Sequence, residues 1–318
     1  MAKQSQPLRI EDTSVASFCT SRCINSAMWF INNKALEGRV LGYLAKYQQH
    51  YGVKIYGATI MANHAHIIAA FPNANRSAFM RDLNARTAEG VRYHVSEFDG
   101  GPVFEKRYSC QAVVESEDIE DRVLYTALQP VNHGLCPRIS QYPGYNSFYD
   151  AISGHVKEYP VVDWAGYNKR RRYKKEVDIE EYTTYYSLVF SRIPEYDNIE
   201  QEEYKKLMLA KLEARRTEII NKKLEQGFIY PTDLSFLTNT IPGTKPRKTK
   251  KSGRYSKLPR IFCKNLGKFI VKSMEYEHLY YLYKGASRAY LGGNEYVQFP
   301  TCTYKPPRFL VCGSPPIN

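Results

Sequence analysis

Long apolar runs are missing from this 318-residue chain. A transmembrane helix needs about 20 consecutive apolar residues, and no segment of the sequence approaches that length. The N-terminal residues MAKQSQPLRIEDTS also lack the apolar core of a signal peptide. We therefore expect a protein without a membrane anchor that resides in the cytoplasm.

Cysteine patterns that hold metals or disulfides are missing as well. The chain has seven cysteines, an odd number, and no two of them are spaced as CxxC. This spacing argues against a zinc ribbon and against a disulfide framework. Reduced thiols, as in cytosolic proteins, are the expected state.

Positive charge is concentrated in the second half of the chain. Residues 1–160 contain 16 Lys and Arg against 15 Asp and Glu, a net charge of +1, whereas residues 161–318 contain 29 against 17, a net charge of +12. The asymmetry indicates a compact module followed by an extension that binds anions. Nucleic acid is the usual anionic partner of such a surface, and solubility alone is the alternative explanation.

Strand-like and helix-like segments alternate in the first half. Strands are predicted at 14–23, 53–61, 65–71 and about 108–114, and helices at 35–51, 76–95 and about 117–128. This order predicts an α+β protein with a ferredoxin-like antiparallel sheet and helices on one face. Such folds host unrelated functions, so the function must be inferred from the site.

The second half predicts a different organisation. Residues 136–168 are rich in Pro, Gly, Tyr and Ser, which favours loops. Helices are predicted at 199–226 and about 273–290, and basic runs lie at 169–175 and 245–260. We expect two domains, residues 1–155 and a basic, mainly helical extension at 156–318.

Two histidines share one face of a predicted strand. His64 and His66 are two residues apart, and because strand side chains alternate between faces, both imidazoles point the same way. Two imidazoles on one face can hold a divalent cation. The alternative is a pair of histidines on a solvated strand face.

A tyrosine occupies an unusual place on the third predicted helix. Its apolar stripe consists of Ile119, Val123, Leu124, Ala127 and Leu128. Tyr125 lies off this stripe and shares a face with Gln129, four residues later. A tyrosine that only packs in the core would more often lie on the stripe.

These residues predict a reactive centre. His64, His66 and the Gln129 carbonyl oxygen would hold a divalent cation with open coordination positions, and this cation would neutralise charge on a phosphate. Tyr125 would attack phosphorus as a covalent nucleophile. The resulting ester conserves the energy of the phosphodiester, so a hydroxyl can later reverse the reaction.

Four segments resemble, in the same order, those of single-tyrosine HUH transposases of the REP-associated and insertion-sequence type. MANHAHII at 61–68 is similar to their MPNHVHLL element, and LYTALQPVNHGL at 124–135 to their RYIHLNPVRAGLV element. FEKRY at 104–108 resembles WQRRY, and TSR at 20–22 resembles the motif of their first strand. The resemblance covers residues 14–150, and the segment at 299–307 is more weakly similar to the tail of longer members.

The resemblance implies an HUH endonuclease domain that cleaves and rejoins single-stranded DNA, often at hairpins. It implies Mg²⁺ or Mn²⁺ as cofactor and a 5′-phosphotyrosine intermediate with a free 3′-hydroxyl. His64 and His66 correspond to metal ligands, Tyr125 to the nucleophile and Gln129 to a third ligand. Ala62 and Gln129 depart from the Pro and Asn common in the family.

Further polar and basic side chains are predicted to contact DNA, although any one of them alone could be a solvated surface group: Arg22, Asn63, Lys106, Arg107, Lys169, Arg170, Arg171 and Arg172. A DNA transposase that associates with the bacterial nucleoid is the leading hypothesis. A non-catalytic DNA-binding protein on the same fold is the main alternative, and a relaxase or replication initiator is a third. Whether the protein is a monomer or a homodimer stays open.

Overall fold

A computed structural model describes residues 7–174, 176–246 and 256–307. Its strands are β1 (Ala16–Arg22), β2 (Lys54–Met61), β3 (His64–Ala70), β4 (Ser109–Val113), β5 (Lys157–Val162), β6 (Thr183–Leu188) and β7 (Arg260–Phe262). Its helices are α1 (Lys34–Tyr51), α2 (Arg76–His94), α3 (Ser116–Ala127), α4 (Gln129–Asn132), α5 (Phe148–Ser153), α6 (Trp164–Arg171), α7 (Gln201–Glu225), α8 (Ser235–Asn239) and α9 (Leu266–Leu291). Within the described ranges, no helix has both the length and the hydropathy of a membrane span.

One mixed sheet of five strands organises the first half, in the order β2-β3-β1-β4-β7. The first four strands pair antiparallel, and β7 adds to the edge parallel to β4. The β2–β3 hairpin turns at Ala62 and Asn63, because these two residues separate strands that pair Met61 with His64. The predicted α+β class with a mainly antiparallel sheet is confirmed.

Helices cover both faces of this sheet. On β3, Ile67 and Ala69 join a core with α1 and α2, whereas Ile68 points the other way into a core with α3 and α7. The two helices of the ferredoxin-like unit thus lie on one face, as predicted, and α3 with α7 cover the opposite one. Successive strand residues are apolar, which is the pattern of a strand buried on both sides.

The second half contains more strand than the sequence predicted. The segment predicted as loops, residues 136–168, contains α5, all of β5 and the start of α6. Strands β5 and β6 form a separate antiparallel pair that packs on α1. Pro160 weakens the strand signal of β5, since proline is tolerated mainly at sheet edges. Among the strands of the described residues, β5 pairs with β6 alone.

Contacts cross the predicted boundary between residues 155 and 156. Met208 and Leu212 of α7 are fully buried in the core that also contains α3, and β7 completes the main sheet. Burial of a leucine-sized side chain contributes roughly 1.5–3 kcal/mol, so these contacts bind the extension to the first half. The two-domain division stays a prediction.

Candidate metal and nucleophile site

Strand β3 brings the two predicted histidines together. His64 and His66 are its first and third residues, and their ring centroids are 4.7 Å apart at an interplanar angle of 80°. The sheet register places His66 opposite Thr20 and His64 opposite Arg22 on β1. His66 also stacks on Phe18, with ring centroids 5.1 Å apart.

Each imidazole is held through its Nδ1 atom. His66 Nδ1 is hydrogen-bonded to Thr20 Oγ1 at 2.9 Å, and His64 Nδ1 to Asn63 Oδ1 at 2.6 Å. Because an amide oxygen only accepts, His64 Nδ1 carries the proton of this bond. A neutral imidazole protonated at Nδ1 has its lone pair on Nε2, so the bond to Asn63 orients Nε2 of His64 for a cation.

Burial keeps both imidazoles uncharged at neutral pH. Loss of solvation, followed by the charges of His133 and Arg22, lowers the pKa of His64 to about 3. Loss of solvation, followed by the charges of His64 and His133, lowers the pKa of His66 well below its usual range. Two neutral imidazoles side by side are the form that binds a metal ion.

Helices α3 and α4 contribute the other two predicted residues. Tyr125 is half-buried on α3, with its ring centroid 6.3 Å from that of His66 and 5.9 Å from that of Phe18. The helix breaks at Leu128, and Gln129 begins α4 with only 1 % of its surface exposed. The Gln129 side chain acts on both His64 and His66, because it raises the pKa of each against the larger effect of burial.

The donor set fits a divalent cation. The set is mixed, because a carbonyl oxygen suits Mg²⁺ and Mn²⁺, whereas imidazole nitrogens suit Zn²⁺ and other transition-metal ions. His133 adjoins the set, since its Nε2 lies 3.1 Å from Gln129 Oε1 and its ring 5.8 Å from that of His64. His133 is not among the ligands predicted from the sequence.

An arginine that the sequence analysis did not select lies beside the tyrosine. The Arg122 guanidinium is 4.7 Å from the centre of the Tyr125 ring and 3.7 Å from that of Phe262 on β7. Asp121 bonds Arg122 at 2.6 Å and also pairs with Arg215 and Lys264 of the C-terminal half. The i, i+3 spacing of Arg122 and Tyr125 is the one signal in the sequence that they are neighbours.

The predicted DNA-contacting residues fall into three places. Arg22 and Asn63 lie at the histidine end of the sheet, where Arg22 donates to Ser26 Oγ at 2.6 Å and Asn63 holds His64. Lys106 is exposed, and Arg107 is half-buried and donates to the carbonyl of Pro7 at 3.0 Å. The basic run is exposed and lies on α6 and just after it, at Lys169, Arg170, Arg171 and Arg172.

A second group of ligand-type side chains lies at the start of α3, where Glu115 and Asp118 meet Cys263, the residue after β7. Its carboxylates are already engaged. Glu115 and Asp118 form the capping box of α3, and Glu115 also pairs with Lys268. Asp118 accepts from the backbone N–H of Lys264 at 3.0 Å. The group therefore serves helix capping and ion pairing.

A protein-family model matches part of the chain. Residues 23–125 match the model of the family described as "Transposase IS200 like". This confirms the family resemblance identified from the sequence, and the matched segment contains His64, His66 and Tyr125. No curated protein matches the chain.

Two solved structures are similar to the chain at low identity. One is described as "Structure of the REP associates tyrosine transposase bound to a REP hairpin", with 16 % identity, a TM-score of 0.39, and coverage of 47 % of this chain and 84 % of that chain. The other is tRNA(His) guanylyltransferase from Saccharomyces cerevisiae, with 10 % identity, a TM-score of 0.33, and coverage of 83 % and 96 %. Neither similarity bears on substrate or mechanism.

Proposed function

We propose that the protein is a metal-dependent transposase that cleaves and rejoins single-stranded DNA through Tyr125. The observation that carries this proposal is the convergence of His64, His66, Gln129 and Tyr125 on one face of the sheet. Four side chains from β3, α3 and α4 meet there although they are up to 65 positions apart in the sequence. The family match over residues 23–125 supports the same class of protein.

The proposed reaction is a transesterification. Tyr125 Oη forms a bond to phosphorus, the bond from phosphorus to the 3′-oxygen breaks, and the phenolic proton passes to water while the 3′-oxygen takes one up. The products are a 5′-phosphotyrosine and a 3′-hydroxyl, and attack by another 3′-hydroxyl reverses the step. Because no phosphoester bond is lost, rejoining needs no nucleotide hydrolysis.

His64, His66 and Gln129 would hold Mg²⁺ or Mn²⁺. When bound, such a cation acts as a Lewis acid on a phosphate oxygen. Thr20 and Asn63 fix the rings that face it, and Phe18 packs against both His66 and Tyr125. A homodimer is not needed for this arrangement, since one chain supplies all of these side chains.

The proposed partner is single-stranded DNA that contains hairpins, which would place the protein in the cytoplasm at the bacterial nucleoid. The test is incubation with a library of labelled single-stranded hairpins and Mg²⁺ or Mn²⁺, followed by denaturing electrophoresis. A covalent protein–DNA adduct is expected. If no substrate gives an adduct but hairpins still bind, the non-catalytic DNA-binding function replaces this proposal.

Thr20→Val is expected to weaken metal binding without unfolding the protein. The change keeps the size of the side chain but removes the hydroxyl that is bonded to His66 Nδ1. Loss of such an orienting partner typically costs about 10- to 100-fold in metal affinity. When cleavage is measured against Mn²⁺ concentration, the Mn²⁺ concentration for half-maximal cleavage should therefore rise, while the maximal cleavage should stay the same. Ser14→Ala, at an exposed loop position, is the control.

Neutralising the exposed basic run is expected to weaken DNA binding and flatten its salt dependence. Replacing Lys169, Arg170, Arg171 and Arg172 by Gln removes four exposed cations at the end of α6. Log affinity decreases linearly with log salt. For each phosphate of single-stranded DNA that the variant no longer neutralises, this decrease should become shallower, with a slope smaller in magnitude by about 0.7. An unchanged slope would assign these residues to solubility.

A further inference from the structure

Arg122 lies inside the histidine–tyrosine site, although the proposed reaction gives it no role. The ring of Phe18 adjoins three side chains of this site. His66 stacks on the ring at 5.1 Å between centroids, Tyr125 meets it edge-on at 5.9 Å, and the Cζ atom of Arg122 is 5.8 Å from its centre. The guanidinium therefore lies close to both the proposed nucleophile and a proposed metal ligand.

Three contacts hold this guanidinium in one place. Nη2 of Arg122 donates to Asp121 Oδ2 at 2.6 Å, and Cζ is 3.7 Å from the centre of the Phe262 ring and 4.7 Å from that of the Tyr125 ring. A planar guanidinium packs well on aromatic faces. Because these contacts restrict the side chain before any substrate binds, its donors are preorganised.

The guanidinium also keeps hydrogen-bonding capacity that the protein does not use. Of its five N–H donors, the one on Nε is buried and has no partner among the described residues. Asp121, which pairs with Arg122, also pairs with Arg215 and Lys264. The charge of this carboxylate is thus divided among three cations, so Arg122 can take a further anionic acceptor.

The proposed reaction at Tyr125 requires a donor of this kind. In phosphoryl transfer, negative charge is spread over the oxygens around phosphorus, and the protein acts mainly by positioning and electrostatic stabilisation. The fork of N–H groups on arginine matches the geometry of phosphate oxygens. Because the Arg122 guanidinium is 4.7 Å from the Tyr125 ring centre, a phosphate bonded to the hydroxyl of this ring lies within its reach.

We propose that Arg122 is a further catalytic residue, which hydrogen-bonds a non-bridging oxygen of the phosphate that Tyr125 attacks. This proposal rests on the proposed function for the reaction and for the nucleophile. The guanidinium stabilises the charge on that oxygen while the bond from Tyr125 Oη to phosphorus forms and the bond to the 3′-oxygen breaks. Since Phe262 of β7 holds the guanidinium, the C-terminal half takes part in building the site.

The test measures hairpin affinity in EDTA and the rate of adduct formation in Mn²⁺ at saturating protein, both with the full chain. Arg122→Met removes the guanidinium but keeps an unbranched side chain against Phe262, and Asp121 keeps Arg215 and Lys264 as partners. Loss of one preorganised donor should slow adduct formation about 100- to 1000-fold. Hairpin affinity and melting temperature should change little, because the interaction is strongest in the transition state.

Arg39→Met is the matched control. Arg39 resembles Arg122 in burial, since their side chains are 10 % and 13 % exposed. It also lies over a tyrosine ring, that of Tyr43, and pairs with a carboxylate, that of Glu89. Its Nε likewise has no partner among the described residues. Arg39 belongs to α1, however, on the opposite face of the sheet, so this variant should form adduct at the wild-type rate.

Chemical rescue separates a catalytic role from a structural one. Arg122→Ala leaves room for a free guanidinium ion beside Tyr125. Guanidinium chloride, far below denaturing concentrations, should therefore speed adduct formation by this variant more than sodium chloride of equal ionic strength does. It should not speed adduct formation by Arg122→Met, whose side chain fills the space.

The outcomes separate this proposal from the proposed function. A wild-type rate in Arg122→Met overturns the catalytic role alone, and so does an equal slowing in Arg39→Met. If guanidinium leaves Arg122→Ala as slow as before, Arg122 has a structural role and the proposal is wrong. If wild type itself forms no adduct with any hairpin, the proposed function fails and this proposal fails with it.

Discussion

Tyr125→Phe is expected to abolish the covalent protein–DNA adduct while DNA affinity and melting temperature change little. The variant lacks only the phenolic oxygen, the atom proposed to bond phosphorus. It keeps the ring, and with it the contacts to Phe18, His66 and Arg122. The adduct should fall below detection on denaturing gels in Mn²⁺, and peptide mapping of wild type should find the nucleotide on the peptide that contains Leu124, Tyr125 and Thr126.

Tyr93→Phe is the matched control for this experiment. Tyr93 is 73 % exposed at the end of α2, so its hydroxyl can be removed without disturbing the core. Tyr108 is a poorer control, because its hydroxyl lies in a buried network with Arg76 and Ser77. If the adduct persists in Tyr125→Phe and disappears in another tyrosine variant, that other tyrosine is the nucleophile. The class of enzyme would stay the same.

The elements around the site could be predicted because their patterns are local. Because side chains alternate between the two faces of a strand, the sequence of 64–70 predicted that His64 and His66 share a face. The structure places both, together with Phe18, on the side of the sheet that α3 covers. The apolar stripe of α3 is buried, as its helical spacing predicted. Tyr125 lies at the border of this buried surface, which explains its half-buried position.

Long-range pairings could not be predicted in this way. Strand β7 has only three residues and follows a basic segment, so nothing local indicates that it pairs with β4. The hydrogen bond from Thr20 to His66 joins residues 46 positions apart and depends on the sheet register. The bond from the Asn63 side chain to the carbonyl of Ser26 likewise joins residues 37 positions apart.

The link between the two halves also needed the structure. Helical spacing puts Asp121 on the polar side of α3, yet it is buried between Arg122, Arg215 and Lys264. These cations, hydrogen-bonded to its carboxylate, outweigh the effect of burial and lower the pKa of Asp121 below its usual range. The C-terminal half thus supports, through Asp121, the helix that carries Tyr125.

Removal of either histidine is expected to abolish divalent-dependent cleavage. His64→Ala takes away one of three proposed ligands at a half-buried position, and His66→Gln removes the imidazole while keeping much of its volume beside Phe18. Both variants should bind the hairpin in EDTA as wild type does. Neither should give more than a trace of adduct at any Mn²⁺ concentration, because two remaining ligands no longer fix the cation against the phosphate.

His155→Ala is the matched control for the histidine variants, since His155 is exposed after α5 and lies outside the site. It should keep the wild-type yield of adduct. Cleavage by wild type in excess EDTA would show that no metal is required, whatever the histidine variants do. If His64→Ala still cleaves DNA but His66→Gln does not, the ligand set is reduced to His66 and Gln129. His133 is then the next ligand to test, since its Nε2 lies 3.1 Å from Gln129 Oε1.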